Sequence, residues 1–278
     1  MADYSGKLDK MAVTLDAATP QVDYQMVLGE QRVAMTPLIG QTIELHYAGQ
    51  INCQACDRLT KKSYSGGFCF PCAQRLARCD LCIMKPETCH YDAGTCREPE
   101  WGEQFCLQDH IVYLANSSGM KVGITRGTQI PTRWIDQGAT QALPIFKVKT
   151  RYQSGLVEVV LKAHIADRTD WRKMLKGSAE PADLIAKRDE LVAHCDVEIK
   201  ALQQQFGDDA ICLLSDEATV NINYKVQQYP DKVRSLNFDK TPEISGVLQG
   251  IKGQYLLLDT GVLNIRKFSG YQITMVTE

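Results

Sequence analysis

No stretch of this 278-residue chain approaches the ~20 consecutive apolar residues that a membrane-spanning helix requires. Its first twenty residues lack an apolar core too, because Asp3, Lys7, Asp9 and Lys10 interrupt them, so we do not expect them to be a signal peptide. Neither sign of charge dominates: 31 Lys and Arg stand against 33 Asp and Glu, a net of −2, so no polyanionic partner is announced by bulk charge. These absences lead us to expect a cytoplasmic protein with no membrane association.

The chain does have apolar residues and cysteine. At 44% hydrophobic content it can form two or three modest domains with real cores. Eleven cysteines in a reducing compartment argue for metal ligation rather than a disulfide framework. Charge is also uneven. Residues 120–176 hold eleven Lys or Arg against four Asp or Glu, a net of +7, so the remainder carries −9. That stretch is either a solvated basic face or an electrostatic footprint for phosphates.

Nine of the eleven cysteines fall between residues 53 and 106. Cys53-x2-Cys56 and Cys69-x2-Cys72 are two knuckles that can present four thiolates tetrahedrally to one zinc ion. Gly66-Gly67 supplies a backbone turn before the second knuckle. Cys69-Phe70-Pro71-Cys72 has a superficial look of a redox dithiol, but no βαβ setting surrounds it and a matched pair lies upstream. For a second zinc the expected ligands are Cys79, Cys82, Cys89 and Cys96, with Cys106 or His90 as substitutes and His110 nearby. An iron–sulfur cluster on the same thiolates competes with that reading, as do buried free thiols. Large aliphatics are few between 53 and 106, so metal binding must supply folding free energy there, on the order of 10 kcal/mol per site. Arg58, Lys61, Lys62, Arg75 and Arg78 alternate with Tyr64, Phe68 and Phe70, a mixture suited to phosphate contact and base stacking. Phe68 and Phe70 equally suit the core of a small domain.

The expected class is α+β, in five parts. Residues 1–50 carry a β meander after a loose lead-in over 1–20, with strands YQMVLG, QRVAMT and QTIELHY. Residues 51–109 form the cysteine-rich zinc segment, and 110–177 a central α/β unit. Over 178–209 a long amphipathic helix runs from Ser178 and Pro181 to Phe206, with Leu184, Leu191, Cys195, Ile199 and Leu202 on its apolar face. Residues 210–278 form a small barrel-like β domain built from TVNINYKV, ISGVLQG, QYLLLD, GVLNIRKF and YQITMV, which strands from 24–50 can complete. Cys195 and Cys212 read as core residues.

Within the central unit, HIVYLAN and MKVGIT flank Ser117-Ser118-Gly119 as a hairpin. This places Tyr113 opposite Gly123, with Lys121 and Thr125 as diagonal neighbours. Thr132 opens a short helix, and Ser154 is a candidate N-cap for SGLVEVVLKAHI, whose Val157, Val160, Leu161 and His164 make one stripe. This arrangement resembles the GIY-YIG nuclease domain over about a fifth of the chain. The first triplet corresponds to Ile111-Val112-Tyr113 and lacks its glycine. The second corresponds to Lys121-Val122-Gly123, with Lys121 in place of a tyrosine. The wider layout looks like an uncharacterised bacterial family in which cysteine-rich segments precede such a domain.

The resemblance implies roles for four residues. Tyr113 is the base for water, Lys121 the cation that helps it ionise, Arg133 the phosphate clamp, and Glu158 the ligand of a magnesium or manganese ion. Each also has a plain structural reading: Tyr113 as sheet filler, Lys121 as an edge residue, Arg133 paired with Asp136, and Glu158 paired with Lys162. The function this implies is a zinc-containing protein that binds DNA or RNA and cleaves a phosphodiester. A non-catalytic binding module and a zinc-based protein–protein adaptor are the alternatives.

Overall fold

The computed structural model of the chain describes residues 2–277. Its strands, in chain order, are β1 Ala2–Leu15, β2 Val22–Leu28, β3 Gln31–Ala34, β4 Thr42–Asn52, β5 Leu59–Thr60, β6 His110–Asn116, β7 Met120–Arg126, β8 Gln141–Val148, β9 Ile211–Leu213, β10 Val220–Asn221, β11 Glu243–Lys252, β12 Tyr255–Leu258, β13 Gly261–Asn264 and β14 Tyr271–Thr277. Its α-helices are α1 Phe70–Arg75, α2 Pro99–Phe105, α3 Thr132–Asp136, α4 Arg151–Leu161, α5 Trp171–Met174, α6 Leu184–His194 and α7 Asp196–Phe206. The class is mixed α+β with antiparallel sheets, and no described helix is long and apolar enough to cross a membrane.

The larger sheet has the order β13-β12-β11-β4-β14-β1-β2-β3, with β5 beside β4. It draws on both ends of the sequence, because β4 lies between β11 and β14. The sheet ends on β13 and β3, which do not pair with each other, so it is open and not barrel-like as expected for 210–278. TVNINYKV contributes only β10, which pairs with β8 of the other sheet. β9 joins that sheet too. Asp259-Thr260 is the tight turn between β12 and β13, with Leu258 opposite Gly261.

Residues 2–15 are not a loose lead-in. β1 pairs with β14 through Ala2–Lys7 and with β2 through Leu8–Leu15, and Leu8 and Met11 are buried. Gly6 marks the change of partner. A Cβ there would lie 2.6 Å from the Leu28 carbonyl carbon, so only glycine lets the two backbones approach.

The smaller sheet has the order β10-β8-β6-β7, with β9 on β8. Every residue of β6 is buried because both faces are covered. Ile111, Tyr113 and Ala115 share a core with α3 and the larger sheet. Val112 and Leu114 pack with Val157 and Leu161 of α4 and with Leu184, Leu191 and Ile199 of α6 and α7.

Three helix expectations are corrected. α4 starts at Arg151, because Thr150 and Gln153 form a capping box, and Ser154 is a buried residue inside the helix. α4 ends at Leu161, which leaves His164 exposed, stacked at 5.8 Å on His194 rather than buried as a core histidine. The long helix is two helices. Asp183 caps the first through the Ala186 N–H at 2.9 Å, and the chain breaks at Cys195, at φ −103° and ψ 14°. The buried positions Leu184, Leu191, Cys195 and Ile199 continue across the break, so periodicity alone does not reveal it. Cys195 is core, as expected, whereas Cys212 is only half-buried.

Candidate functional site

Hairpin geometry fixes the first part of the site. Asn116 pairs with Met120 across the Ser117-Ser118-Gly119 loop, which brings Tyr113 opposite Gly123 and sets Lys121 beside Ala115. Gly123 is required here, since a Cβ would lie 2.8 Å from the Tyr113 phenol oxygen. α3 follows β7 and carries Arg133, with Gln137 as its C-cap residue. α4 carries Arg151 and Glu158.

These elements surround a groove of about 370 Å³ between the two sheets. Lys121, Arg133 and Glu158 line it together, with Arg126, Gln137 and Arg151 as further polar walls. Tyr113 lies under its floor, fully buried. The Tyr113 hydroxyl donates to Gln137 Oε1 at 3.1 Å, and Lys121 Nζ donates to the same oxygen at 2.6 Å. Gln137 therefore ties the phenol to the lysine. Sequence reasoning missed it, although it lies only four residues after Arg133, at the end of the same short helix. Arg151 escapes sequence reasoning because an N-cap at Ser154 starts α4 four residues after the observed N-cap, Thr150.

Burial sets the electrostatics. It raises the Tyr113 pKa, with the Arg133 charge pulling the other way. Burial, helped by the Arg133 charge, lowers the Lys121 pKa to about 8. The Glu158 pKa is raised by burial, with Lys162 opposing and Asp167 and Glu87 adding to the rise. Glu158 forms no ion pair with Lys162. Arg133 does not pair with Asp136, whose carboxylate takes Lys10 at 3.0 Å and the Gln254 amide at 2.9 Å.

The other wall of the groove comes from the cysteine-rich segment, through Ile83, Met84 and Pro86. Arg151 donates to the Ile83 carbonyl at 2.6 Å. The turn Pro86–Thr88 packs on α4 at Gly155, where a Cβ would fall 2.7 Å from the Pro86 carbonyl carbon. Gly155→Ala is thus expected to destabilise the protein by about 1–3 kcal/mol through overpacking. Urea unfolding followed by circular dichroism checks this, and an unchanged midpoint would refute it.

Cys53, Cys56, Cys69 and Cys72 place their sulfurs all within 4.8 Å of one another, an arrangement compatible with a zinc site. Cys56 and Cys69 sulfurs are 3.8 Å apart, the edge of a tetrahedron with metal–sulfur bonds of about 2.3 Å. The Ala55 N–H points at Cys53 Sγ at 3.5 Å. Although burial works against it, backbone N–H groups from Cys69, Cys56 and Ala55 lower the Cys53 thiol pKa to about 6. Burial pushes Cys72 up to about 12, with its three thiol neighbours adding to the rise. Four thiols this close cannot all ionise without a cation between them, which suits a closed structural zinc.

Cys79 does not accompany Cys82. It packs on the first cluster beside Cys53, Cys69 and Cys72. Cys82, Cys89, Cys96 and Cys106 instead line one small cavity. Phe68 packs on the first cluster, whereas Phe70 is 55% exposed and meets Tyr64 edge-on at 5.5 Å.

A family model described as a protein of unknown function, DUF2797, matches residues 40–273. That span holds all eleven cysteines and every groove residue named above. No curated protein and no solved structure matches the chain.

Proposed function

The chain belongs to the DUF2797 family, and from that premise, which assigns no chemistry, we propose that it binds the phosphodiester backbone of a nucleic acid in the groove and cleaves it with a divalent metal. Two structural zinc ions hold the cysteine-rich segment in this reading. The observation that carries it is convergence: Lys121, Arg133 and Glu158, remote in sequence, line one hollow, with Tyr113 directly beneath. The likeness to the GIY-YIG domain read from the sequence points to the same four residues.

Each side chain then has a role that its chemistry suits. Arg133 presents a planar fork to two phosphate oxygens. Lys121 adds a cation on the opposite strand, steadied by Gln137. Glu158 would hold a magnesium or manganese ion, which when bound supplies charge stabilisation at a phosphoryl oxygen. A half-buried carboxylate with no ion-pair partner among the described residues fits that role. Tyr113 holds Gln137 through its phenol, and Arg133 is the charge that favours its ionisation against burial. One observation favours a second reading, a non-catalytic binding module: the Tyr113 ring is 0% exposed and would have to activate water through Gln137.

The direct test is a cleavage assay with labelled single- and double-stranded DNA and RNA, with and without magnesium or manganese. Affinity that falls steeply with salt supports phosphate binding. Binding without cleavage of any form leaves the second reading, and no binding removes both.

A pH prediction follows from Lys121. Its charge, faced by Arg133, Glu158 and Asp167, is lost as pH rises through about 8. Oligonucleotide affinity should therefore fall between about pH 7 and 9, the midpoint shifting upward in the complex because bound phosphate favours the charged form. Lys121→Arg keeps its charge throughout and should flatten the profile. Fluorescence anisotropy at fixed ionic strength measures both, and an equal fall in the arginine variant would remove Lys121 as the cause.

A further inference from the structure

The second cysteine group plays no part in phosphate chemistry, yet four of its thiols share one cavity. Cys82, Cys89, Cys96 and Cys106 line one cavity of about 10 Å³, room for a single water-sized body. Cys106 is buried against α2, and Cys82, Cys89 and Cys96 are half-buried. A separate observation points to what fills the cavity. Arg151 Nε is buried with no hydrogen-bond partner. The Arg151 backbone N–H donates to the Cys106 carbonyl at 2.8 Å, which sets this residue beside the cavity. Arg126 is the other cation here, over the ring of Phe105, which precedes Cys106 in the chain. Neither guanidinium has a carboxylate within ion-pair distance among the described residues, and the Arg126 guanidinium stands 4.8 Å from the ring centre. Two cations partly withdrawn from water beside neutral thiols would be uncompensated, which is costly.

We propose that Cys82, Cys89, Cys96 and Cys106 bind a second zinc ion as a closed structural site, whose excess negative charge is the counter-ion of Arg151 and Arg126. On binding, four thiols release four protons, four sulfur–zinc bonds form, and the ion sheds its waters. The divalent ion with four thiolates carries a formal charge of two minus. No electron is transferred.

Cys79 is excluded by its place beside the first cluster. Of the described groups around the cavity only Asp80, Cys82 and His90 place ligand atoms all within 4.8 Å of one another, so the four sulfurs must draw together around the ion, but Asp80 and His90 are both engaged. Asp80 takes Arg97 at 2.5 Å and the Cys82 N–H, and His90 Nδ1 meets the Thr95 hydroxyl at 2.8 Å. His110 Nε2 is buried without a partner, but His110 faces Arg126 and Arg151 and does not line the cavity. The ion also has a structural consequence. Ile83 follows Cys82 directly and its carbonyl receives Arg151, so the zinc fixes the groove wall at Ile83, Met84 and Pro86. This last link rests on the phosphodiester reading, whereas the metal site does not.

Zinc content and alkylation mapping on the full-length chain test the proposal without any nucleic acid, so its failure is separable from failure of the groove. The native protein should hold about two zinc ions. Cys79 and Cys212 should react with N-ethylmaleimide, while Cys82, Cys89 and Cys96 react only after chelation. Cys106→Ser should lower the content to about one, and Cys79→Ser should leave it at about two. If Cys106→Ser does not fold, the labelling map of the unaltered protein still decides. One zinc per chain, protection of Cys79 with Cys82, or labelling of Cys89 and Cys96 in the native protein would overturn the site; the last would mark binding by Asp80, Cys82 and His90. Iron with visible absorption would overturn zinc as its metal.

Discussion

Cys69→Ser, or removal of metal by a strong chelator, is expected to unfold residues 53–76 while the larger sheet stays folded. Around the four thiols only Leu76 is a buried aliphatic, with Phe68 packed beside it. Leu59 and Phe70 of the same segment are exposed, at 63% and 55%. So little apolar burial cannot offset the cost of ordering two dozen residues, at roughly 1–2 kcal/mol of backbone entropy each. A structural zinc supplies about 10 kcal/mol or more, so its loss removes the main stabilising contribution. The larger sheet has its own core, with Leu45, Ile244, Leu263, Phe268 and Ile273 buried. Its contacts with the segment are mostly polar, such as Gln54 to the Leu8 carbonyl at 3.0 Å and Lys7 to Asp57 at 2.8 Å. Limited proteolysis with mass mapping should show new cuts between 53 and 76 and few within β11–β14. Identical digestion patterns for the two proteins would refute a structural role for the metal.

Arg133→Ala and Glu158→Ala are expected to act in opposite directions on binding and in the same direction on cleavage. Removing the guanidinium takes away a charged fork, so affinity for an oligonucleotide should fall about tenfold or more and the salt dependence should lessen by about one phosphate contact. Removing the carboxylate deletes a negative charge from a basic groove, so binding should hold or tighten. Cleavage should drop by about 10²–10³-fold in each, since charge stabilisation at the transition state is lost. Arg133→Lys keeps the charge but not the fork, and should recover binding more than rate. Binding isotherms and single-turnover cleavage at one ionic strength separate these effects. If both variants weaken binding alike, Glu158 is a structural residue and the metal reading fails.

The hairpin was legible because a three-residue loop between two β-branched runs leaves one register. That register placed Tyr113, Gly123 and Lys121 correctly on the sheet. The first knuckle pair was legible because its spacing fixes which sulfurs meet. The second group was not, since sequence gives no sign that Asp80, accepting from the Cys82 N–H, turns the chain between Cys79 and Cys82 and sends them to different neighbours. β1 was hidden by its own charged face: Lys7, Asp9 and Lys10 lie beside Leu8 and Met11, so the strand read as polar chain. Gln137 had no place in the resemblance, and its importance lies in a hydrogen bond that only coordinates reveal. The break at Cys195 escaped because the buried stripe crosses it without losing phase.

β14 is inserted between β4 and β1, about 220 residues away from the former in the chain. During synthesis on the ribosome β1–β4 therefore emerge with one of their central neighbours still untranslated, whereas β6 finds both of its partners, β7 and β8, within about forty residues. Contacts of short sequence separation form first. The central hairpin and the thiol-rich segment can thus be in place while β4 still has an open edge for more than a hundred residues of elongation. For that interval, the growing chain presents an unpaired strand edge, the kind of surface on which another chain can pair.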